Sequence, residues 1–319
     1  MKRLNLALLF GGISAERKVS IQSGRQVLNA LDPDRYIVRC YDPKTDIPRL
    51  VHDACNIDLA LIILHGEYGE DGRIQGLLDL LDIPYQGSGV LGSSLAMNKL
   101  ASKRIYQQAG LRVPPYRVIT PDNRAIAPEL AKALGYPVVI KPCVGGSSIG
   151  MTLVKAPSDL ETALDVAFAQ DTTLLMEGYV AGVEITGAVL GNRELEALPL
   201  IEIVPGEEFA FFEYEAKYAA DATQEICPAR ISEDQTQEAM TMAMEAHRAL
   251  FCKGYSRSDM ILGKDGLYIL ETNTIPGMTA NSLLPKAAKT AGMDFPTLMN
   301  RLVELALEAK DCQKDTKAA

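Results

Sequence analysis

Residues 255–277 read Y-S-R-S-D-M-I-L-G-K-D-G-L-Y-I-L-E-T-N-T-I-P-G, and they constrain the fold more than any other stretch. Two apolar runs flank a Gly-Lys-Asp-Gly turn, which predicts a β-hairpin. Arg257 and Asp259 are two apart on the first run, and Glu271 and Asn273 are two apart on the second. Side chains two apart on a strand share a face. A loop centred on Asp265 with an odd number of residues places Asp259 opposite Glu271, with all four polar groups on one surface. Facing carboxylates repel unless a cation or a shared proton lies between them. Two carboxylates and an amide oxygen are hard ligands of the kind Mg²⁺ takes alongside waters and phosphates. The alternative is a solvated strand face on which Arg257 pairs with Asp259.

A chain of 319 residues points to two or three domains with real cores. A net charge of −9 argues against a nucleic-acid surface. The start, M-K-R-L-N-L-A-L-L-F-G-G, reads as a buried strand ending in a glycine pair, not as a signal peptide. No run approaches the ~18 apolar residues of a membrane span. Six cysteines without C-x-x-C spacing read as reduced thiols of a cytoplasmic protein.

The first segment alternates compact apolar strands, Asn5–Phe10 and Asp58–Leu64, with a helix that Ser14 can cap and that ends near Leu31. This is a doubly wound α/β pattern whose ligands belong at the carboxyl ends of the strands, at the loops 11–16 and 65–72. Gly87-Ser88-Gly89 marks the expected end of a domain spanning 1–89. A second segment, 90–178, holds a helix over Ser94–Gln108, strands at Pro137–Lys141, Met151–Val154 and Thr173–Glu177, and a helix at Ser158–Ala169. The third, 179–319, holds antiparallel strands, a helix over Glu233–Phe251, the hairpin, and a last helix from Pro296 to about Lys310 with a frayed tail.

Lys141 stands at a strand end before P-C-V-G-G-S-S-I-G, where backbone N–H groups without bulky side chains can approach phosphate oxygens. An ordinary hairpin tip would look the same. Lys99 is a second candidate cation. Glu177-Gly-Tyr-Val180 crosses between segments, where a purine can lodge, and Glu184 could accept from a ribose. His65-Gly-Glu-Tyr-Gly-Glu-Asp-Gly72 suggests a rigid polar wall for a small charged ligand, or a helix start with favourable acids. Lys217 and Tyr218, in Y-E-A-K-Y, could close over a site as a lid. His52 and His247 read as structural or exposed.

Together these residues resemble the D-alanine–D-alanine ligase family of the ATP-grasp superfamily, over nearly the whole chain. The most specific pieces are H-G-E-Y-G-E-D-G at 65–72, K-P-C-V-G-G-S-S-I-G at 141–150, Y-E-A-K-Y at 214–218 and L-E-T-N-T-I-P-G-M-T at 270–279. The resemblance implies an α/β fold: a doubly wound parallel sheet followed by a two-lobed, α+β ATP-grasp unit. It implies that Lys99, Lys141, Ser148 and Lys217 hold the phosphates of ATP, and that Glu177, Tyr179, Val180 and Glu184 bind its nucleoside. Asp259, Glu271 and Asn273 would ligate two Mg²⁺ ions, with Mn²⁺ a possible substitute. Glu16 would hold the ammonium of the first D-alanine, Ser282 its carboxylate region, and His65 and Leu283 would lie near the substrates. Arg257 and the Gly277 N–H would meet the developing oxyanion, and Tyr218 with Ser147 would orient Glu16 and the acceptor amine. Relatives are usually homodimers.

The residues suit that chemistry. Phosphoryl transfer to a carboxylate needs positioning and charge neutralisation, and attack on the resulting acyl phosphate needs donors aimed at the new oxyanion. Ser258, Thr272 and Ile275 depart from the family pattern. The first two are expected to face away from the chemistry, and Ile275 to bear on oxyanion geometry or substrate fit. Rival readings are a ligase that joins D-lactate or D-serine, and a nucleotide-binding regulator without turnover. A dehydrogenase is disfavoured, since Phe10-Gly-Gly-Ile-Ser-Ala lacks G-x-G-x-x-G.

Overall fold

The computed structural model describes residues 3–146, 149–206 and 223–318; Ser147, Ser148, Lys217 and Tyr218 lie outside them. The first sheet is parallel, in the order β2 (Tyr36–Tyr41), β1 (Leu4–Phe10), β3 (Leu59–Ile63). Every residue of β3 is buried, as the unbroken apolar run requires of a strand covered on both faces. Phe10 pairs with Ile63 in register, so the loops that follow β1 and β3 emerge side by side. The helix α1 spans Arg17–Ala30 and starts later than expected, with Glu16 at its N-cap position and no side-chain cap. Ser14 instead donates to the His65 carbonyl at 2.6 Å and so ties the two loops together. The helices α2 (Ile47–Asp53) and α3 (Arg73–Leu80) flank this sheet in sequence.

The helix expected over Ser94–Gln108 is two helices, α4 (Val90–Met97) and α5 (Lys99–Gln108). Asn98 divides them with extended backbone and caps α5 by accepting from the Ala101 N–H at 2.9 Å. Next comes an antiparallel four-stranded sheet in the order β4 (Tyr116–Ile119), β7 (Leu174–Gly178), β5 (Val138–Pro142), β6 (Thr152–Val154). The helices α6 (Ala127–Leu134) and α7 (Leu160–Phe168) pack on it through Ala127, Ala131, Ala163 and Leu164.

The third sheet is antiparallel. Its order is β11 (Thr223–Ile226), β10 (Ile201–Pro205), β8 (Gly182–Gly191), β12 (Gly254–Gly263), β13 (Gly266–Asn273), with β9 (Leu195–Ala197) on β8. On one face the helix α8 (Glu233–Ala249) seats Ala239, Ala243 and Ala246 against Ile185, Val189 and Met260. On the other, Ala188 and Leu190 join Leu6, Leu8 and Leu61 of the first sheet in one core. The helices α9 (Leu283–Thr290) and α10 (Phe295–Ala318) complete that core. The last helix runs eight residues past the expected end at Lys310.

The hairpin differs from expectation in one instructive way. Gly263 pairs with Gly266, so the turn has two residues, Lys264 and Asp265, not an odd number. That register alone would set Asp259 against Leu270. A β-bulge between Met260 and Asp259 absorbs Leu270, and beyond it Asp259 faces Glu271, Ser258 faces Thr272 and Arg257 faces Asn273. On the back of the hairpin Ser258 and Thr272 are both buried, with their hydroxyls 2.8 Å apart, and the Tyr106 hydroxyl donates to Thr272 Oγ1 at 2.7 Å. The two unusual residues therefore form one buried hydroxyl chain. Thr272→Val should cost ~1–3 kcal/mol in urea denaturation, because it strands the buried Tyr106 hydroxyl. Adding Tyr106→Phe and Ser258→Ala should recover part of that loss.

Candidate active site

A cleft opens between the second and third sheets, with about 890 Å³ of empty space including its open mouth. Lys141 and Glu177 come to it from β5 and β7, Lys99 from the first turn of α5, Glu184 from β8, and Asp259 and Glu271 from the hairpin. Tyr179, Val180 and the glycine loop at Gly145–Gly146 also line it. The resemblance assigned Asp259 and Glu271 to divalent ions and the others to a nucleotide, and the fold brings them to one cavity. One detail differs: the Tyr179 N–H donates to the Pro137 carbonyl at 3.1 Å, so this N–H is not available as a donor to a base.

Charge organises the cleft. On the third sheet Arg257 forks onto Asp259, Nε to Oδ1 at 3.0 Å and Nη2 to Oδ2 at 2.7 Å. The ion pair weighed from sequence as the alternative to a metal site is therefore present. Thr186 on β8, in register with Asp259, donates to its Oδ1 at 2.7 Å, and Asn273 Nδ2 lies 3.3 Å from its Oδ2. Lys99 bridges the lobes: its ammonium donates to the Gly145 carbonyl at 2.6 Å and lies 3.6 Å from Glu271. Across the cleft, Lys141 and Lys103 both reach Glu177 Oε1, at 2.9 and 3.0 Å. Glu177 Oε1 has hydrogen-bond geometry with neither lysine, so charge holds both contacts.

A second group of residues meets where the first sheet adjoins the hairpin. Glu16 packs against two glycines. A Cβ on Gly66 would fall 2.6 Å from Glu16 Oε2, and one on Gly146 would fall 2.9 Å from it, so a side chain at either position would displace the carboxylate. His65 is buried, and its Nδ1 lies 3.2 Å from the Ile275 carbonyl. A carbonyl only accepts, so Nδ1 carries the proton and Nε2 faces Ser23 Oγ at 3.4 Å. Burial drives the His65 pKa down to about 4, which keeps the ring neutral. It braces the wall and does not line the cleft between the second and third sheets.

Ile275 packs inward. Its side chain is buried among Leu9, Leu64, Ile74 and Ile62 around the first sheet, and its backbone serves both His65 and Glu70. It joins the hairpin end to the first sheet, and does not project as a free side chain beside Gly277. At Gly277 an added Cβ would come within 3.0 Å of Ser282 Oγ. Ser282 precedes α9, whose first residue is Leu283, and its hydroxyl is held by the Thr279 N–H at 3.1 Å and by Thr279 Oγ1 at 2.7 Å.

Sequence reading missed Lys103, Thr186 and Glu70. Lys103 carries a signal, since it lies four residues after Lys99 on the same helical face. Thr186 becomes visible only through strand register. Glu70 stood among three acids of one loop. Burial, and next the charge of Glu16, raise its pKa to about 8, although it accepts from the Gly66 N–H at 2.7 Å. A carboxyl whose folded pKa lies above its unfolded value stabilises most at low pH, and that stabilisation fades as pH rises through the folded value. Stability from urea titrations should therefore decline between pH ~4.5 and ~8, and Glu70→Gln should flatten this decline. An unchanged slope would assign the decline to other groups.

The chain matches two family models: D-ala D-ala ligase N-terminus over residues 44–88, and D-ala D-ala ligase C-terminus over residues 105–304. It is 56% identical to a D-alanine–D-alanine ligase of Syntrophobacter fumaroxidans over 307 residues, which covers 96% of this chain and 99% of that protein. To the ligase of the same name from Desulfotalea psychrophila it is 49% identical, covering 98% of each. Among solved structures, a D-alanine–D-alanine ligase of Bacillus anthracis complexed with ATP superposes with a TM-score of 0.85 at 32% identity, covering 97% of this chain and 99% of that one. A D-Ala:D-Ser ligase of Enterococcus faecalis superposes with a TM-score of 0.83 at 30% identity, covering 96% of this chain and all of that one. With an ATP-grasp architecture and both family halves present, this chain belongs to the D-alanine–D-alanine ligase family.

Proposed function

We propose that this protein joins two D-alanine molecules at the expense of ATP, giving D-alanyl-D-alanine, ADP and phosphate for peptidoglycan precursor synthesis. The observation that carries the reading is one cleft where Lys99 and Lys141 face Asp259 and Glu271, with Arg257 forked onto Asp259, in a chain whose relatives are named for this bond. We read the chain as three units, 1–89, 90–178 and 179–319.

Divalent cations fit the hairpin. Asp259 and Glu271 oppose each other in register; among the described residues Arg257 pairs with Asp259, and Lys99 lies 3.6 Å from Glu271. Among the described residues no three His, Cys, Asp or Glu side chains form a complete cage. Two facing carboxylates and the Asn273 amide oxygen are hard donors of the kind Mg²⁺, or Mn²⁺, takes alongside waters and substrate phosphates. Asp259, Glu271 and Asn273 would hold two such ions, which would neutralise charge on the transferring phosphoryl group.

The protein's own groups then divide the work. Lys99 and Lys141 hold the phosphates, with Ser148 and Lys217 added from outside the described residues. Glu177, Glu184 and backbone groups at Tyr179 and Val180 hold the nucleoside. Glu16 binds the ammonium of the first D-alanine, which the Ser282–Leu283 turn and the wall braced by His65 help position. The carboxylate oxygen of that substrate attacks the γ-phosphorus, and the bond to the ADP oxygen breaks. The amine of the second D-alanine then attacks the acyl carbon, and phosphate departs. Arg257 and the Gly277 N–H stabilise the oxyanion formed in that step. Ser147 and Tyr218 orient Glu16 and the amine.

A homodimer in the cytoplasm completes the reading. No described helix is long and apolar enough to cross a membrane. Leu80 is 88% exposed on α3 and Leu91 is exposed on α4, apolar surface of the kind a second copy could cover. Light scattering should give twice 34.6 kDa.

Arg257→Ala should lower kcat by about 10²–10³-fold, the cost of one lost oxyanion donor of ~2.7–4 kcal/mol. ATP affinity by calorimetry should change far less than in Lys141→Ala; equal losses would remove Arg257 from the oxyanion role. Product analysis with ATP, Mg²⁺ and D-alanine, alone and with D-serine or D-lactate, tests acceptor choice. Phosphate release with D-alanine alone is expected, and its absence alongside turnover of another pair would overturn the specificity.

A further inference from the structure

Lys103 has no exposed surface and does not line the cleft, yet its ammonium shares one carboxylate oxygen, Glu177 Oε1, with Lys141. Two cations on one carboxylate leave an excess positive charge in a buried site. Lys141 borders the cleft and is the cation that a phosphate can recruit. Once Lys141 turns its charge to phosphate, Glu177 would be a buried anion with little compensation if no other cation stood behind it. Lys103 stands there, on α5, with Glu177 facing it from β7, Lys141 from β5 and Glu271 more distantly from β13. Burial pushes the Glu177 carboxyl up, and the charge of Lys103, ahead of that of Lys141, brings it below the ordinary carboxylate range.

We propose that Lys103 is a positioning residue for nucleotide recognition, the resident counter-ion that holds Glu177 ionised and in place while Lys141 serves the phosphates. The inference rests on the reading of Glu177 as a nucleoside ligand. An ionised carboxylate accepts from an exocyclic amino group and repels a keto oxygen at the same position. Lys103 thus contributes to preferring an aminopurine triphosphate over an oxopurine one, from behind the wall that touches the base.

The test compares Lys103→Met, Glu177→Gln and the double variant with the unaltered enzyme, reading KM for ATP, KM for D-alanine, kcat and the ATP-to-GTP preference. Lys103→Met should raise KM for ATP about tenfold or more while leaving kcat and KM for D-alanine within about twofold. The ATP KM of that variant should rise further as pH falls, because Glu177 without its counter-ion takes up a proton, and the preference for ATP should shrink. In the Glu177→Gln background, Lys103→Met should add little. Equal losses in all kinetic constants, or effects that multiply in the double variant, would make Lys103 merely structural and overturn the proposal. If Lys103→Met alone fails to fold, the double variant, without either charge, is compared with Glu177→Gln, and a further tenfold rise in ATP KM overturns it. An unchanged ATP KM in Glu177→Gln would instead refute the nucleoside role of Glu177 itself.

Discussion

The opposition of Asp259 and Glu271 is the constraint on which the site depends. Two carboxylates meet across a strand pair because a bulge at Leu270 moves the register by one residue. Without that bulge, Asp259 would face a leucine, and the polar set would lose its common alignment. Such a meeting of like charges needs cations. The fold supplies Arg257 on the same strand and Lys99 from the start of α5. These pairs balance charge on the face, and they are the groups the proposed chemistry would redirect.

Around that face, the core of the protein is continuous where the chemistry requires rigidity. Ala188 and Leu190 of β8 lie on the same strand face as Glu184 and Thr186, and they pack with Leu6, Leu8 and Leu61 of the first sheet. One sheet face therefore runs from a buried apolar core into a polar cleft. Ile275 makes a second junction, with its side chain in the core around the first sheet and its carbonyl on His65. The position of Glu16 relative to Arg257 is thus set by packed apolar contacts, whose geometry is less yielding than that of surface ion pairs.

Much of this was legible in the chain. The unbroken apolar runs of β1 and β3 announced a parallel sheet, and the turn between β12 and β13 announced a hairpin, because burial pattern and turn chemistry are local properties. The pairing of Asp259 with Glu271 was anticipated, but through an odd-length loop that the protein does not have. The long helix over Ser94–Gln108 is broken at Asn98, whose preference for capping outweighs helix continuity. Thr186 and Lys103 escaped notice because their significance lies in partners 73 and 74 residues away, Asp259 and Glu177.

The sequence by itself determined which chemical groups this protein carries and the family it joins, since motif residues and their local spacing survive without any knowledge of packing. It also determined that Ser258 and Thr272 turn from the chemistry, as strand alternation demands. Only the tertiary structure decided that those two hydroxyls and Tyr106 form one chain, and that Ile275 joins two parts of the core. Only it, too, placed a second buried lysine behind Glu177. The reason is physical: alternation and turn preference act between neighbours in the chain, whereas register, burial and charge pairing arise when distant segments exclude water from one another.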